Sequence, residues 1–356
     1  MKILDAHIRN ALLGMSVIVA LALTGISGFV TLVEELDDLG QGDYSLQLVA
    51  LVTLLKMPQL LYEMFPLVVL LGTILGLGAL AAAGELVVMQ AAGVSVYRVA
   101  WSAGKAGLAL GLLVLAMGEF AVPVAKQAAD NISSTARFGE GRVSSSVVWL
   151  RQGEQYIRIG HLPQDTVAED IQVLHVNQND SRLIQTVAMA RADFADGEWQ
   201  ASGLRETLLD YGSVRIRERD SAEWVVDLDP DVLKLFVLRA DSLSLRGLFQ
   251  YIRYLDSNGL DNTAPQYALW RKLATPLTVM VMVILAVPFV IGPLRDTGAG
   301  QRLFVGVMLG IAFYVFNEVA GSLGQVYDWP AALAALTPTA LLACLAAWRL
   351  HAAVRR

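Results

Sequence analysis

Gly84-Glu85-Leu86-Val87-Val88-Met89-Gln90-Ala91-Ala92-Gly93-Val94-Ser95-Val96-Tyr97-Arg98 lies between two apolar runs, each long enough to cross a bilayer. Leu86, Val87, Met89, Gln90 and Gly93 fall at helical spacing. Glu85 sits in the first turn, where the helix dipole favours an anion, and Gly93 is placed to stop the helix. The stretch reads as a short helix parked at the membrane surface, although an ordinary connecting loop fits the same residues. The rest of the chain bears on the choice. Apolar runs that move a cargo need a driver, and no motor is encoded here, so a docking surface for one is needed somewhere.

Working outward, the chain has 356 residues, 55% of them hydrophobic, yet 17% are charged. A chain this apolar keeps its charges segregated. Runs of about 20 apolar residues, the length of a spanning helix, fall in two groups, before about Lys126 and after about Tyr267. The net charge of −6 and the lack of clustered Lys and Arg argue against a nucleic-acid surface. Cys344 is the only cysteine, which excludes a disulfide framework or a cysteine-based metal site within one chain.

The first group holds three predicted spans. Ala11 to Val33 contains Ala20-Leu21-Ala22, which resembles a signal-peptide cleavage site, but the apolar run continues well past it and reads as a span. Glu34-Glu35-Leu36-Asp37-Asp38 makes an acidic exit, and Gly40 to Asp43 a turn. A short amphipathic piece, Leu46 to Leu55, precedes Pro58 and the second span, roughly Leu60 to Ala83, where Gly72, Gly76 and Gly78 permit close helix contacts. The third span, Val99 to Val124, carries Gly104, Gly107 and Gly111 as packing positions, Lys105 placed to snorkel, and Glu119 near the far interface.

From Lys126 to about Ala240 the period changes to two. Val147 to Leu150, Gln155 to Ile159, Ile171 to Val176, Leu183 to Phe194, Trp199 to Leu209, Val214 to Arg217 and Trp224 to Leu228 read as strands. Hairpin signals lie at Asn177 to Asp180 and Asp196-Gly197. Strands without intervening helices predict an antiparallel sandwich or jelly roll. Ser244 then caps a helix ending at Asn258-Gly259. The last three spans are predicted at Tyr267 to Ile291, Leu303 to Leu323 and Ala331 to Arg349, with a polar loop from Gly292 to Arg302. The fold class is thus a polytopic helical membrane protein, six spans in a 3+3 arrangement, with an inserted all-β domain. Its predicted divisions are 1–125 with the surface helix at about 84–97, 126–240, a connecting helix at 241–266, and 267–356.

Basic residues near span ends set the expected orientation. Lys2, Arg9, Arg98, Arg295, Arg302, Arg349, Arg355 and Arg356 fall on one side, and Lys56, Lys126, Arg271 and Lys272 on the other. The positive-inside rule puts both termini in the cytoplasm and the β domain outside.

No Gly-x4-Gly-Lys-Ser/Thr phosphate loop occurs, so ATP-driven work falls to a partner. Asp296-Thr297-Gly298 matches an aspartic-protease triplet, but that chemistry needs two such carboxylates and the triplet occurs once, in a membrane loop. His7, His161, His175 and His351 lack ligand spacing. Asn317-Glu318 fits either a polar path or helix packing.

Glu85-Leu86-Val87-Val88-Met89-Gln90-Ala91-Ala92-Gly93, Glu119-x-x-x-Pro123, Gly292-Pro293-Leu294-Arg295, Gly310-x-x-Phe313-Tyr314 and Val326-Tyr327 together resemble the LptF/LptG family of lipopolysaccharide-export permeases, on its LptG branch. The resemblance covers nearly the whole chain. It implies three spans, a periplasmic β-jelly roll and three more spans in the bacterial inner membrane. It also implies an LptF-like partner permease, an LptB-like ATPase dimer that uses ATP and Mg, an LptC-like bridge protein, and lipopolysaccharide as cargo. This chain would then be non-catalytic and bind no cofactor. Glu85, Leu86, Met89, Gln90 and Gly93 would belong to the coupling helix seated in the ATPase. The substrate-binding residues stay open. If a phosphorylated cargo passes the acidic exit, Glu34, Glu35, Asp37 and Asp38 repel it unless divalent cations or basic residues of the partner offset them. Otherwise the patch faces solvent. A stand-alone secondary transporter would want ionisable groups near the membrane midplane, and a membrane-anchored scaffold would leave the Glu85 helix unexplained.

Overall fold

The computed structural model describes residues 2–138, 148–164, 166–177, 182–195, 198–210, 213–224, 233, 243–291, 298–327 and 329–354. The helices are α1 (Lys2–Leu36), α2 (Leu46–Ala82), α3 (Glu85–Ala91), α4 (Val96–Ala116), a π-helical turn (Met117–Ala121) and α5 (Val122–Phe138). After the strands come α6 (Leu245–Ser257), α7 (Thr263–Ile291), α8 (Ala299–Val326) and α9 (Ala331–Val354). Among the described residues six helical stretches are long and apolar enough to cross a membrane: α1, α2, the run from α4 through α5, and α7 to α9.

Each spanning stretch is longer than the sequence suggests, α1 reaching back to Lys2, and in two of them the cause is local. The amphipathic piece at Leu46 is continuous with the second span, because α2 runs through Pro58 and Pro66 without a break. Such prolines are tolerated in a spanning helix when neighbouring groups re-satisfy the freed carbonyls. The third span also passes its expected end at Val124. Pro123 lacks a donor, the turn before it widens to a π turn, and the helix then resumes as α5 to Phe138.

Backbone contacts divide the chain into two compact units, one of 1–33, 53–126 and 263–356, the other of 34–52 and 127–262. In the first, α2 and α7 are central: 67% and 61% of their most apolar stretches are buried, against 17% for α1 and for α8. Leu70, Ile74 and Leu77 of α2 meet Ile8 and Leu12 of α1 and Val279, Val283 and Val287 of α7 in one core. Glycines permit the close approaches. A Cβ on Gly76 would stand 2.7 Å from the carbonyl oxygen of Ala11, and one on Gly111 2.6 Å from the Cα of Pro276. The basic flanks are less peripheral than their spacing suggests. Lys272 is buried and donates to the Gly118 carbonyl of the π turn at 3.1 Å, and Arg302 is buried and donates to the Gly78 carbonyl of α2.

Among its described residues the second unit holds six strands: β1 (Val148–Gln152), β2 (Gln155–Gln164), β3 (Val167–Asn177), β4 (Arg182–Ala195), β5 (Glu198–Asp210) and β6 (Ser213–Trp224). They form one antiparallel sheet in chain order. Among the described residues this is a meander, not the crossed strand order of a jelly roll. Val214 to Arg217 extends to Trp224 as a single strand, so the separate strand expected from Trp224 does not start there. Residues 225–228 of that expectation, most of the two hairpin turns and Gly292 to Thr297 lie outside the described residues.

Val148, Leu150, Ile157, Ile159, Ile171, Val173 and Met189 make the core face of the sheet, with Leu233. Trp199 is fully buried and pairs across the strands with Phe194 and Trp224, at ring-centroid distances of 5.3 and 6.1 Å. The inward phase slips once on each of four strands: the core positions Ile159 and Leu162, Ala168 and Ile171, Met189 and Ala192, Ala201 and Leu204 are three residues apart instead of two. Register is kept across the slip from β3 to β5, with Glu169 opposite Arg191 and Arg191 opposite Ser202, while β2 shifts register between His161 and Gln164. The sheet therefore creases along one line. Asp170 (φ 51°) and Gly203 (φ 66°) take the left-handed backbone that this requires.

Ser244 caps α6 as predicted, its hydroxyl accepting from the Gly247 amide, and the helix ends at Asn258 with Gly259 at φ 61°. The Tyr254 hydroxyl donates to the Arg151 carbonyl at 3.1 Å, and burial pushes its pKa up to about 12.

Candidate functional site

The stretch after Gly84 does form a helix, α3, bounded on both sides by glycine. Gly84 (φ 76°) turns the chain out of α2. At the other end Gly93 (φ 87°) donates to the Gln90 carbonyl and Val94 to that of Met89, the paired bonds of a Schellman stop. Met89 and Val94 pack against the same core, which supplies the apolar contact that usually accompanies this motif. Ser95 then caps α4 by accepting from the Arg98 amide.

Within α3, Leu86 is 4% exposed and sits in the core of the first unit, and Met89 packs against it partly buried. These two side chains anchor the helix. The outward face is apolar as well: Val87 is 40% and Val88 69% exposed, followed by exposed Ala91, Ala92 and Gly93. Gln90 is half-buried. An isolated seven-residue helix is marginal in water, so α3 depends on these anchors and on its ties to neighbouring helices.

Those ties were not visible in the sequence. The Glu85 carboxylate meets His7 Nε2 of α1 at 2.6 Å. Thirteen residues on, Arg98 of α4 pairs with Asp5 of α1 at 3.1 Å, and Lys105 reaches the same carboxylate at 3.3 Å. Tyr97 hydrogen-bonds His351 of α9 at 3.2 Å. His7 thus ties the first residue of α3 to α1, and Asp5 ties α4, which follows α3, to the same helix. Neither residue has a local signature, since its partner lies about 80 to 100 positions away.

The other candidates scatter. Glu119 lies in the π turn, half-buried. Asn317 is half-buried and Glu318 exposed on α8. No group of three or more His, Cys, Asp or Glu able to hold a metal occurs among the described residues.

The acidic exit is resolved by a cation. Glu35 is buried, accepting from the Tyr44 hydroxyl at 2.5 Å and from Arg137 at 2.8 Å, and Arg137 also pairs with Asp38 at 2.5 Å. The same guanidinium lies 4.6 Å above the Tyr44 ring. Burial, then the hydrogen bond to Glu35, pushes the Tyr44 pKa up. Glu34 and Asp37 are the acids of this patch that remain exposed.

Among the described residues, six helices suited to span a membrane, with an antiparallel sheet inserted in the chain between the third and fourth, define a multi-pass membrane protein. The pattern described as lipopolysaccharide export system permease LptF/LptG matches residues 6–352. The chain belongs to this family, and so to the lipopolysaccharide export permeases of the bacterial inner membrane. It is 34% identical over 353 residues to the LptG permease protein of Escherichia coli and 31% identical over 350 residues to that of Haemophilus influenzae, in each case over 98% of both chains.

Proposed function

We propose that this chain is the LptG-like, non-catalytic subunit of an ATP-driven extractor that lifts lipopolysaccharide out of the inner membrane and passes it to a periplasmic bridge. Its partners would be an LptF-like permease, an LptB-like ATPase dimer that consumes ATP and Mg, and an LptC-like bridge protein. Both termini and α3 would then be cytoplasmic and the sheet domain periplasmic.

The observation that carries this reading is α3 itself. A short helix with an exposed apolar face, anchored by Leu86 and Met89, stopped by Gly93 and braced at its flanks by α1, suits a rigid contact for a soluble protein. Displacing α3 necessarily loads α1 and α4. In this reading Glu85 and Gln90 supply the polar contacts of the coupling surface, and Val87 and Val88 the apolar ones.

Co-purification tests it. The tagged chain should retain an ATPase. Val88→Asp and Glu85→Ala should insert normally but hold that ATPase about tenfold more weakly, the first by placing a charge in an apolar contact and the second by losing one charge-assisted contact. His7→Ala should fall between these and the parent if Glu85 touches the partner directly, and should equal Glu85→Ala if Glu85 acts only through α1. Normal lipid release by an assembled Val88→Asp, Glu85→Ala complex would overturn the assignment.

A further inference from the structure

On the core side of the sheet, strand register lines up three rows of side chains across all six strands. The first is Val148, Ile159, Ile171, Met189, Leu204 and Arg219. The second runs through Leu150, Ile157, Val173, Val187 and Glu206 to Arg217, and the third through His175, Gln185 and Leu208 to Arg215. The first two rows are apolar from β1 to β4, and all three end in arginine at β6. Arg215, Arg217 and Arg219 therefore stand on one face of the strand, roughly 7 Å apart. Glu218 and Asp220 point to the opposite face, where Glu218 pairs with Arg205 at 3.7 Å.

This sorting by sign calls for a reason. β6 is the last strand of the sheet among the described residues; charges on an edge strand discourage pairing with other chains, but that purpose is served by any mixture on either face. Separating the three cations of β6 from its two central acids serves a ligand of one sign. Glu206, an acid on the cationic face, stands opposite Arg217 and accepts a hydrogen bond from Gln185 at 2.7 Å, which leaves the face with more cations than this carboxylate offsets. Arg217 and Arg219 are exposed and have no ion-pair partner among the described residues. The cations stand out in a chain whose net charge is −6.

We propose that Arg215, Arg217 and Arg219 form an anion-binding ladder that takes the phosphate groups of lipopolysaccharide as it passes the sheet domain. The inference rests on lipopolysaccharide being the cargo. Guanidinium forks match phosphate oxygens two at a time, and a ladder at strand spacing holds a polyphosphorylated headgroup at several points while letting it advance. Beside the ladder, Leu204 and Leu208 offer apolar surface on the same face. An amphiphile thus finds both of its chemistries on one side of the sheet.

The test uses the full chain with its co-purified partners in nanodiscs, and a photo-crosslinking amino acid in place of Leu208. The probes are radiolabelled bisphosphorylated lipid A and the same lipid dephosphorylated. The phosphorylated probe should crosslink in the parent, and the yield should fall about tenfold in Arg217→Gln/Arg219→Gln or with the dephosphorylated probe, the effect of losing charge-assisted contacts. Arg217→Lys/Arg219→Lys should retain most of the yield, and added salt should lower it in the parent. Unchanged thermal unfolding of the Gln pair shows that the fold persists. Equal yields in parent and Gln pair, or with both probes, would overturn the ladder. Total retained lipid is counted in parallel. Normal retention without crosslinking at 208 removes the ladder and leaves the permease reading standing, whereas no retention anywhere removes both.

Discussion

Arg137 shows what one side chain does for the acidic exit of α1. In sequence, Glu34, Glu35, Asp37 and Asp38 look like a single repulsive rim. In the structure Glu35 and Asp38 are bound by Arg137, and Glu35 is buried against Tyr44, so the rim is reduced to Glu34 and Asp37. Cation bridging of all four acids to a cargo is no longer required, because an arginine of this same chain offsets two of them. Arg137→Ala should be costly, since it leaves the Glu35 carboxylate buried beside a tyrosine. Removing one partner of a buried pair costs about 3–5 kcal/mol, and the side chains here are 16% and 8% exposed. The expected result is a clear drop in the unfolding temperature of the purified protein. Arg137→Ala/Glu35→Gln should recover part of it, and equal unfolding temperatures for parent and Arg137→Ala would contradict this account. No local pattern could have revealed the pair, which joins positions 102 residues apart.

At the scale of elements, what was legible is what is decided locally. Ser244 and Asn258-Gly259 bound α6 because caps act over a few residues. Glu85 and Gly93 mark α3 for the same reason. Pro58 misled, because a proline reads as a boundary in water but is absorbed in a long apolar helix. The π turn depends on Pro123 and on Lys272 from another helix, so only half of its cause lies nearby. The crease of the sheet was present in the sequence as paired phase slips, and strict alternation rules pass over it. Gly203 is its most demanding position: φ is +66°, and a Cβ would stand 2.9 Å from that of Ala190. Gly203→Val should therefore lower stability by about 1–3 kcal/mol through backbone strain and crowding. Thermal unfolding followed by Trp fluorescence would report it through Trp199. An unchanged midpoint would mean that the crease is not fixed at this residue.

For the molecule as a whole, charge segregation made the membrane class readable from composition, and period-two patterning in the middle of the chain made the inserted sheet readable. Strand order was not readable, because alternation reports which face is buried and is silent about which strand lies beside which. The proposed orientation is open to direct test. In a Cys344→Ser background, Asp220→Cys on exposed β6 should react with a membrane-impermeant maleimide in intact spheroplasts, and Val88→Cys on α3 should react only after lysis. The opposite pattern would reverse the orientation and remove the coupling role of α3.

The meander also bears on how the domain is made. Among the described residues each strand from β1 to β6 pairs with its neighbours in the chain, so these pairings wait for no distant segment, and ordering them costs little loop entropy at each step. A polypeptide threaded through a bilayer from its N-terminal side can zip this sheet hairpin by hairpin as it emerges, before α7, α8 and α9 have been synthesised. In the proposed orientation the far side of the membrane thus gains a folded body while the ribosome is still at work, and such a body resists slipping back.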